Sequence, residues 1–254
     1  MTDRWLPSVP GAEIERIFDA AAGNEIASGK FDSPESSAAL AANALGFFLN
    51  RPQDLPPLPD CDRVTWPARS LSLEAEVRFP WSGGRHPVLD CLVTTPSALI
   101  GIESKRFEPF RSKKSASFSD AYWRPIWGDD MKGYEGVRDT LRANGRLYDF
   151  LDAAQLVKHA FALRTEVHRR GGKLTPILFY LYAEPTVWPK DGRLVDENDK
   201  ARHREEITRF ARDVEGDEVI FRSCSYRELL KDWARHKDGG IRAHAAAVTR
   251  RFSP

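Results

Sequence analysis

The sequence predicts a mixed-sheet α/β domain, and three observations predict it. Helical periodicity opens the chain, strict apolar alternation replaces it near residue 70, and strand and helix patterns then take turns to the C-terminus. In GAEIERIFDAAAGNEIASG (11–29), Ile14, Ile17, Phe18 and Ala21 fall on one stripe, so the spacing predicts a helix. SPESSAALAANALGFFLN predicts a second, with Ser33 as N-cap, Pro34 at the first helical position and Gly46 near its end. RPQDLPPLPDCD (51–62) is a proline-rich connector.

SLSLEAEVRFPW (70–81) alternates. Leu71, Leu73, Ala75, Val77 and Phe79 are expected on one face, with Ser72, Glu74, Glu76 and Arg78 on the other. WSGGRHP is a turn, HPVLDCLV a second strand, TTPS another turn and ALIGIESKRF a third strand, so an antiparallel meander is expected. A long irregular insertion is expected at about 107–147, around SFSDAYWRPIWGDD. YDFLDAAQLVKHAFALRTEVHRR (148–170) reads as a strong helix ended by Gly171 and Gly172. LTPILFYLYAEP is a fully buried strand, KARHREEITRFARDV a charged surface helix and EVIFRSCSY a fifth strand. SYRELLKDWARH and IRAHAAAVTRRF add C-terminal helices, and residues 1–254 are read as a single domain.

Composition is that of a globular protein: 41% apolar, 30% charged and a net charge of +1 across 254 residues. No global basicity announces a nucleic-acid binder, so any basic surface is local. Three distant cysteines (Cys61, Cys91, Cys224) without a CxxC pair argue against a disulfide framework or structural zinc. MTDRWLPSVPGAEIERIF lacks a basic stretch leading into an apolar one, and no apolar run reaches membrane-spanning length. A cytoplasmic protein with no membrane partner is expected. The six histidines form no HExxH, and GxSxG, the GK[ST] phosphate loop and a helix-opening GxGxxG are all missing.

Three charges then stand out among apolar strands: Asp90 in VLDCLV, and Glu103 and Lys105 in ALIGIESK. Buried strands carry charge when it is paired or functional. Glu103 and Lys105 are two apart and share a face, and a hairpin about Thr94–Ser97 sets Asp90 roughly across from Glu103. Singly, each also reads as a structural group: Asp90 bonded to a turn amide, Glu103 and Lys105 as an ion pair. Together, two carboxylates suit a hard divalent cation, and an ammonium beside them can position water and neutralise phosphate charge. That combination is phosphodiester hydrolysis.

The Asp-x12-Glu-x-Lys spacing on neighbouring strands resembles the PD-(D/E)XK nuclease superfamily, the restriction-endonuclease-like fold. The QxxxH at Gln155–His159 stands where many members carry a QxxxY-type helix. SSAALAANALGFF, GIESKRFEPF and LDAAQLVKHAFAL are similar to an uncharacterised bacterial subgroup, and the likeness spans most of residues 30 to 235. The resemblance implies a three-layer α/β/α fold with a central mixed sheet. It implies Asp90, Glu103 and the Ser104 carbonyl as metal ligands for Mg²⁺, or Mn²⁺ in its place, and Lys105 as catalytic lysine. Glu76 and Gln155 are implied auxiliaries, and either Glu25 or Glu35 the acidic group some members place near the first helix. Leu89 rather than proline precedes Asp90, a departure from the pattern.

The activity implied is a metal-dependent nuclease on DNA or RNA, with DNA the favoured substrate and a homodimer open because double-strand cutters often pair two sites. The alternative is an inactive nuclease-fold module binding nucleic acid or a protein. A phosphohydrolase acting on a small molecule is a third reading and needs a closed pocket. Arg106, Arg111, Lys113 and Lys114 form a candidate phosphate-binding cluster, and Tyr122, Trp123 and Trp127 either stack bases or anchor a lid. His159 reads as a packed histidine.

Overall fold

The computed structural model describes residues 4–21, 25–81, 83, 85–111, 117–145 and 147–254. Five strands form one sheet in the order β1 (Ser70–Glu76), β2 (Val88–Thr94), β3 (Ala98–Lys105), β4 (Thr175–Tyr182) and β5 (Ile220–Ser225). The first three pair antiparallel through short turns, as the meander predicts, and β3–β4 and β4–β5 pair parallel through helical crossovers. The sheet is therefore mixed.

Helices cover both faces. On one lie α1 (Gly11–Ala20), α2 (Ser37–Leu45), α6 (Tyr226–Trp233) and α7 (Gly239–Phe252), packed with Ile100, Ile102, Ile177, Phe179 and Leu181. On the other lie α3 (Lys132–Ala143), α4 (Ala153–Arg169) and α5 (Glu197–Asp213), packed with Leu99, Leu178, Tyr180 and Phe221. Near-continuous apolar runs such as TPILFYLY follow from this burial on both sides. The expected α/β fold, with helices flanking a mixed sheet, is present. Gly101 sets how closely α4 approaches: a Cβ there would fall 2.8 Å from Leu163 Cδ1.

Several elements differ from their sequence-based expectation. The first helix ends at Ala20, where Ala21 turns extended. The second is capped by Ser36, whose side chain accepts from Ala39 N, while Ser33 takes the Glu35 amide in a preceding turn. The expected irregular insertion holds α3, because Tyr134, Val137, Arg138 and Leu141 share one buried stripe despite the glycines between them. On α5, expected as an amphipathic surface helix, the buried face includes the polar Lys200, His203 and Glu206. The Glu206 carboxylate accepts the amides of Asp149, Phe150 and Leu151, holding the turn that leads into α4.

The largest difference lies in β1. Leu71 and Leu73 face the α1/α2 layer, but Ala75, Val77 and Phe79 face the α4 layer. Strict alternation would put all five together. The reversal occurs at Glu74, whose φ of 47° is left-handed, a conformation costing a non-glycine residue about 1–3 kcal/mol. In β2 the same reversal occurs at Asp90, since Leu89 and Cys91 are two apart yet pack on opposite faces. Ladder pairing runs through Leu73–Cys91 and Ala75–Leu89 on either side of these two carboxylates. Both strands change face at the same place.

Candidate active site

The β2–β3 ladder ends at Cys91–Ile102, so the strands separate just where Asp90 and Glu103 would have paired. Asp90 fills the opening with its side chain: Oδ2 accepts the Ser104 amide at 2.6 Å in place of a backbone carbonyl. Lys105 O accepts from Ala183 on the β4 side. Alternation along the strand therefore turns the Ser104 carbonyl toward β2, the side of Asp90. Ser104 Oγ is tied to Tyr226 OH at 2.7 Å, which fixes this point from the other layer. Glu103, 2% exposed, accepts a hydrogen bond from Lys105 Nζ.

These groups open into a cleft of about 480 Å³, lined by Glu74, Asp90, Glu103, Lys105 and Gln155 together with Glu25 and Glu35. A larger hollow of about 750 Å³ lies at the other end of the strands, around Ala98, Thr175 and Ile220. Asp60, Asp62, Arg63 and Arg222 also line it, with Arg222 donating to the carbonyls of Asp60 and Phe221, and none of the residues singled out by sequence as site candidates lies there.

Electrostatics mark the cleft as short of positive charge. Burial, then the neighbouring Glu103, pushes Asp90 up to about 8. Burial, then Asp90, Glu25 and Glu103, likewise pushes Glu74 up to about 8. Burial also raises Glu103, against the pull of Lys105. Burial opposes the charge on Lys105, but Glu103 and Asp90 outweigh it and hold the ammonium above its ordinary value. Lys105 is thus a firmly protonated cation among three carboxylates reluctant to ionise together.

The donor set fits a hard divalent ion. Among the described residues no group of three or more His, Cys, Asp or Glu side chains stands ready to hold a metal alone. Mg²⁺ needs only one or two carboxylates and keeps several waters. Asp90, Glu103 and the Ser104 carbonyl supply oxygen donors alone, and an added cation would relieve the crowding of negative groups.

Comparison with known families decides the broader class. The profile of a family described as "Restriction Endonuclease associating with ARP" matches residues 2–251. The chain belongs to this REase-ARP family. Membership places it with restriction-endonuclease-like proteins, whose business is nucleic acid, and its helix-flanked mixed sheet agrees. No curated protein and no solved structure matches the chain with significance. Among the described residues no helix is long and apolar enough to cross a membrane.

In the REase-ARP chain most of the residues singled out by sequence converge, and some do not. Asp90, Glu103, Lys105 and Gln155 line the cleft at the end of β2, β3 and α4, Ser104 is buried behind it with its amide on Asp90, and both Glu25 and Glu35 reach the rim. Glu76 does not: it is exposed and paired with Arg78 at 2.8 Å. Glu74 takes its place, brought in by the left-handed backbone that no alternation rule anticipates. The period-2 pattern shows a carboxylate there, but not the face it takes. Gln155 sits in the first turn of α4, its amide capped by Asp152. His159 is buried one turn on, with Nδ1 3.2 Å from Glu103 Oε2 but without hydrogen-bond geometry. Burial and Lys105 push that imidazole down to about 3, so it is a neutral neighbour and not an ion-pair partner.

The basic and aromatic candidates are mostly structural. Arg106 is buried and donates to the carbonyls of Pro34 and Phe252, tying the turn before α2 and the end of α7 to β3. Arg111 pairs with Glu35, and Lys113 and Lys114 lie outside the described residues. Trp127, 1% exposed, stacks on Phe161 with centroids 4.1 Å apart, and its indole N–H donates to Tyr122 O. Tyr122 is buried beside it, and Trp123 donates to Asp139 beneath the Arg142 guanidinium. These rings anchor the segment to α4; neither Tyr122 nor Trp127 is open to a base.

Proposed function

We propose that this REase-ARP chain is a Mg²⁺-dependent nuclease of the PD-(D/E)XK type, hydrolysing phosphodiester bonds in DNA in preference to RNA. The observation that carries the reading is the meeting of Asp90, Glu103 and Lys105 where β2 diverges from β3. Asp90, Glu103 and the Ser104 carbonyl would hold the ion, with Mn²⁺ able to substitute. Bound there, it would supply Lewis acidity at the phosphate and a more acidic water.

The chain's own groups then have definite tasks. Asp90, braced by the Ser104 amide, keeps one carboxylate oxygen fixed and leaves the other for a ligand. Lys105, protonated, orients the attacking water and stabilises charge that develops on the phosphate oxygens. With substrate in place it must share its protons between Glu103 and the phosphate. Gln155 offers an amide at the cleft wall to position the incoming strand. Glu74 adds a third carboxylate on the β1 side, in the role the sequence assigns to Glu76.

The test is cleavage of a plasmid and of a labelled single strand with Mg²⁺ or Mn²⁺, comparing wild type with Asp90→Ala and Lys105→Ala. Metal-dependent cutting lost in both variants supports the reading. No cutting by wild type, with no Mg²⁺ or Mn²⁺ binding by calorimetry, sinks it in favour of the inactive binding module.

A further inference from the structure

We infer that the hairpin at residues 186–195, between β4 and α5, is a wedge that engages duplex nucleic acid beside the cleft. The inference rests on the nuclease reading for its setting. Its own basis is the exposure of two apolar side chains: among the described residues only Ile126, Val187 and Leu194 are large, apolar and exposed, at 39%, 40% and 74%. Val187 and Leu194 are partners in one antiparallel bridge, so they form a cross-strand pair on a single ribbon.

The ribbon is a built element. Trp188 N donates to Arg193 O at 2.7 Å, Val195 N to Thr186 O at 3.0 Å, and Gly192 N to Trp188 O at 2.9 Å. Gly192 takes a φ of 70° in the turn, which a side chain would resist. Glu184 pairs with Arg204 at the base, and Val195 is buried. A ribbon held this way keeps its apolar pair presented to water at a fixed place beside the cleft.

Position and size name the partner. β4 ends at Tyr182, paired with Lys105, so the chain leaves the sheet at the cleft. Trp188 packs on Phe107, two residues beyond Lys105, with ring centroids 5.0 Å apart. A nucleic-acid strand bound with a phosphate at Lys105 would pass close to the ribbon. Lys190 and Arg193 stand at the exposed tip; Arg193 lies over Trp188 with Asp191 3.9 Å from its Nε, a long exposed pair that a neighbouring phosphate can displace. Two side chains are far too few for a protein interface, which needs about 800 Å² per partner. They are enough to press into a groove or unstack a single base step, which a two-stranded ribbon with an apolar wedge can do.

The test uses the full chain carrying Val187→Ser with Leu194→Ser, and separately Lys190→Ala with Arg193→Ala. Binding of a labelled duplex and a labelled single strand is read by fluorescence anisotropy in Ca²⁺, and cutting of both is read in Mg²⁺. The apolar variant is expected to lose about tenfold or more in duplex affinity, the scale of a lost wedge contact. Its single-strand binding should change less than about twofold, as for an ordinary surface substitution. The cationic variant should flatten the salt dependence of duplex binding. Unchanged duplex binding in both variants overturns the inference, as does loss of self-association in sedimentation without loss of duplex binding. If wild type binds duplex but does not cut, the nuclease reading fails while the anisotropy comparison still decides the wedge. If wild type binds no duplex, the wedge falls too.

Discussion

Two regions of this chain look equally suspicious as sequence and turn out opposite in kind. One is the Asp90, Glu103, Lys105 set, with charges inside apolar strands. The other is the 117–131 segment, with aromatics in what reads as a long loop. In the first, burial leaves carboxylates crowded and short of positive charge, around a cleft. In the second, the buried rings of Tyr122 and Trp127 have packing partners, and the Trp127 indole donates to Tyr122 O, a carbonyl that also accepts from Arg138 of α3. The lesson is about satisfaction. Aromatics in a loop are explained once they pack, whereas charges crowded against their own kind mark a candidate site.

The sharpest break between the regions is functional. Lys105→Ala or Asp90→Ala should cut the rate of metal-dependent cleavage by about 100- to 1000-fold, the range for losing one transition-state stabiliser. Asp90→Ala should lower the melting temperature little, because removing a carboxylate relieves a crowded site, whereas Lys105→Ala leaves Glu103 buried without its cation and should lower it. Trp127→Ala should do the reverse, destabilising by about 3–5 kcal/mol in denaturant titration. Its cleavage rate per folded molecule should hold. A Trp127→Ala protein that is stable but inactive would show that the aromatic segment works in the site after all.

The pH dependence of stability sharpens the same contrast. Asp90 and Glu74 keep their protons in the fold up to about pH 8 but release them near pH 4 when unfolded. Between those values the native state binds more protons, so stability falls as pH rises across the window. In chelator the melting temperature should drop from pH 5 to pH 8, and Mg²⁺ should restore it at pH 8. Asp90→Asn should flatten both responses; a wild type whose melting temperature rises over that range would contradict the crowding. The smallest effect separates two neighbours. Glu74→Gln should lower cleavage about tenfold, within the usual range for a supporting group at a metal site. Glu76→Gln, on an exposed ion pair worth little, should stay within about twofold. Equal effects would mean that the face reversal in β1 does not decide which glutamate serves the site.

Much of this architecture is legible in the residues alone. Alternating apolar positions and short turns specify β1 to β3 as a meander, and the turn at Thr94–Ser97 fixes which residues face each other. Asp90, Glu103 and Lys105 can therefore be brought together by counting, since neighbours within one hairpin are set by local spacing. The helix after the insertion is equally plain, and with it Gln155.

What counting cannot supply is any decision made by a partner distant in the chain. Period-2 reasoning assumes extended backbone at every residue, so it puts Glu74 and Glu76 on one face, where the resemblance implies Glu76; one left-handed residue at Glu74 separates the two. Arg106 looks like a phosphate ligand because it follows Lys105. It is a structural tie because Pro34 and Phe252, far off in sequence, present carbonyls to it. Trp127 looks free in a loop and is buried because α4 offers Phe161 at stacking distance. The sequence by itself determined the strands and the charges that must meet across them. Only the tertiary structure decided which side chains are consumed by packing and which are left with unanswered charge, because burial and desolvation belong to neighbours that the order of residues does not reveal.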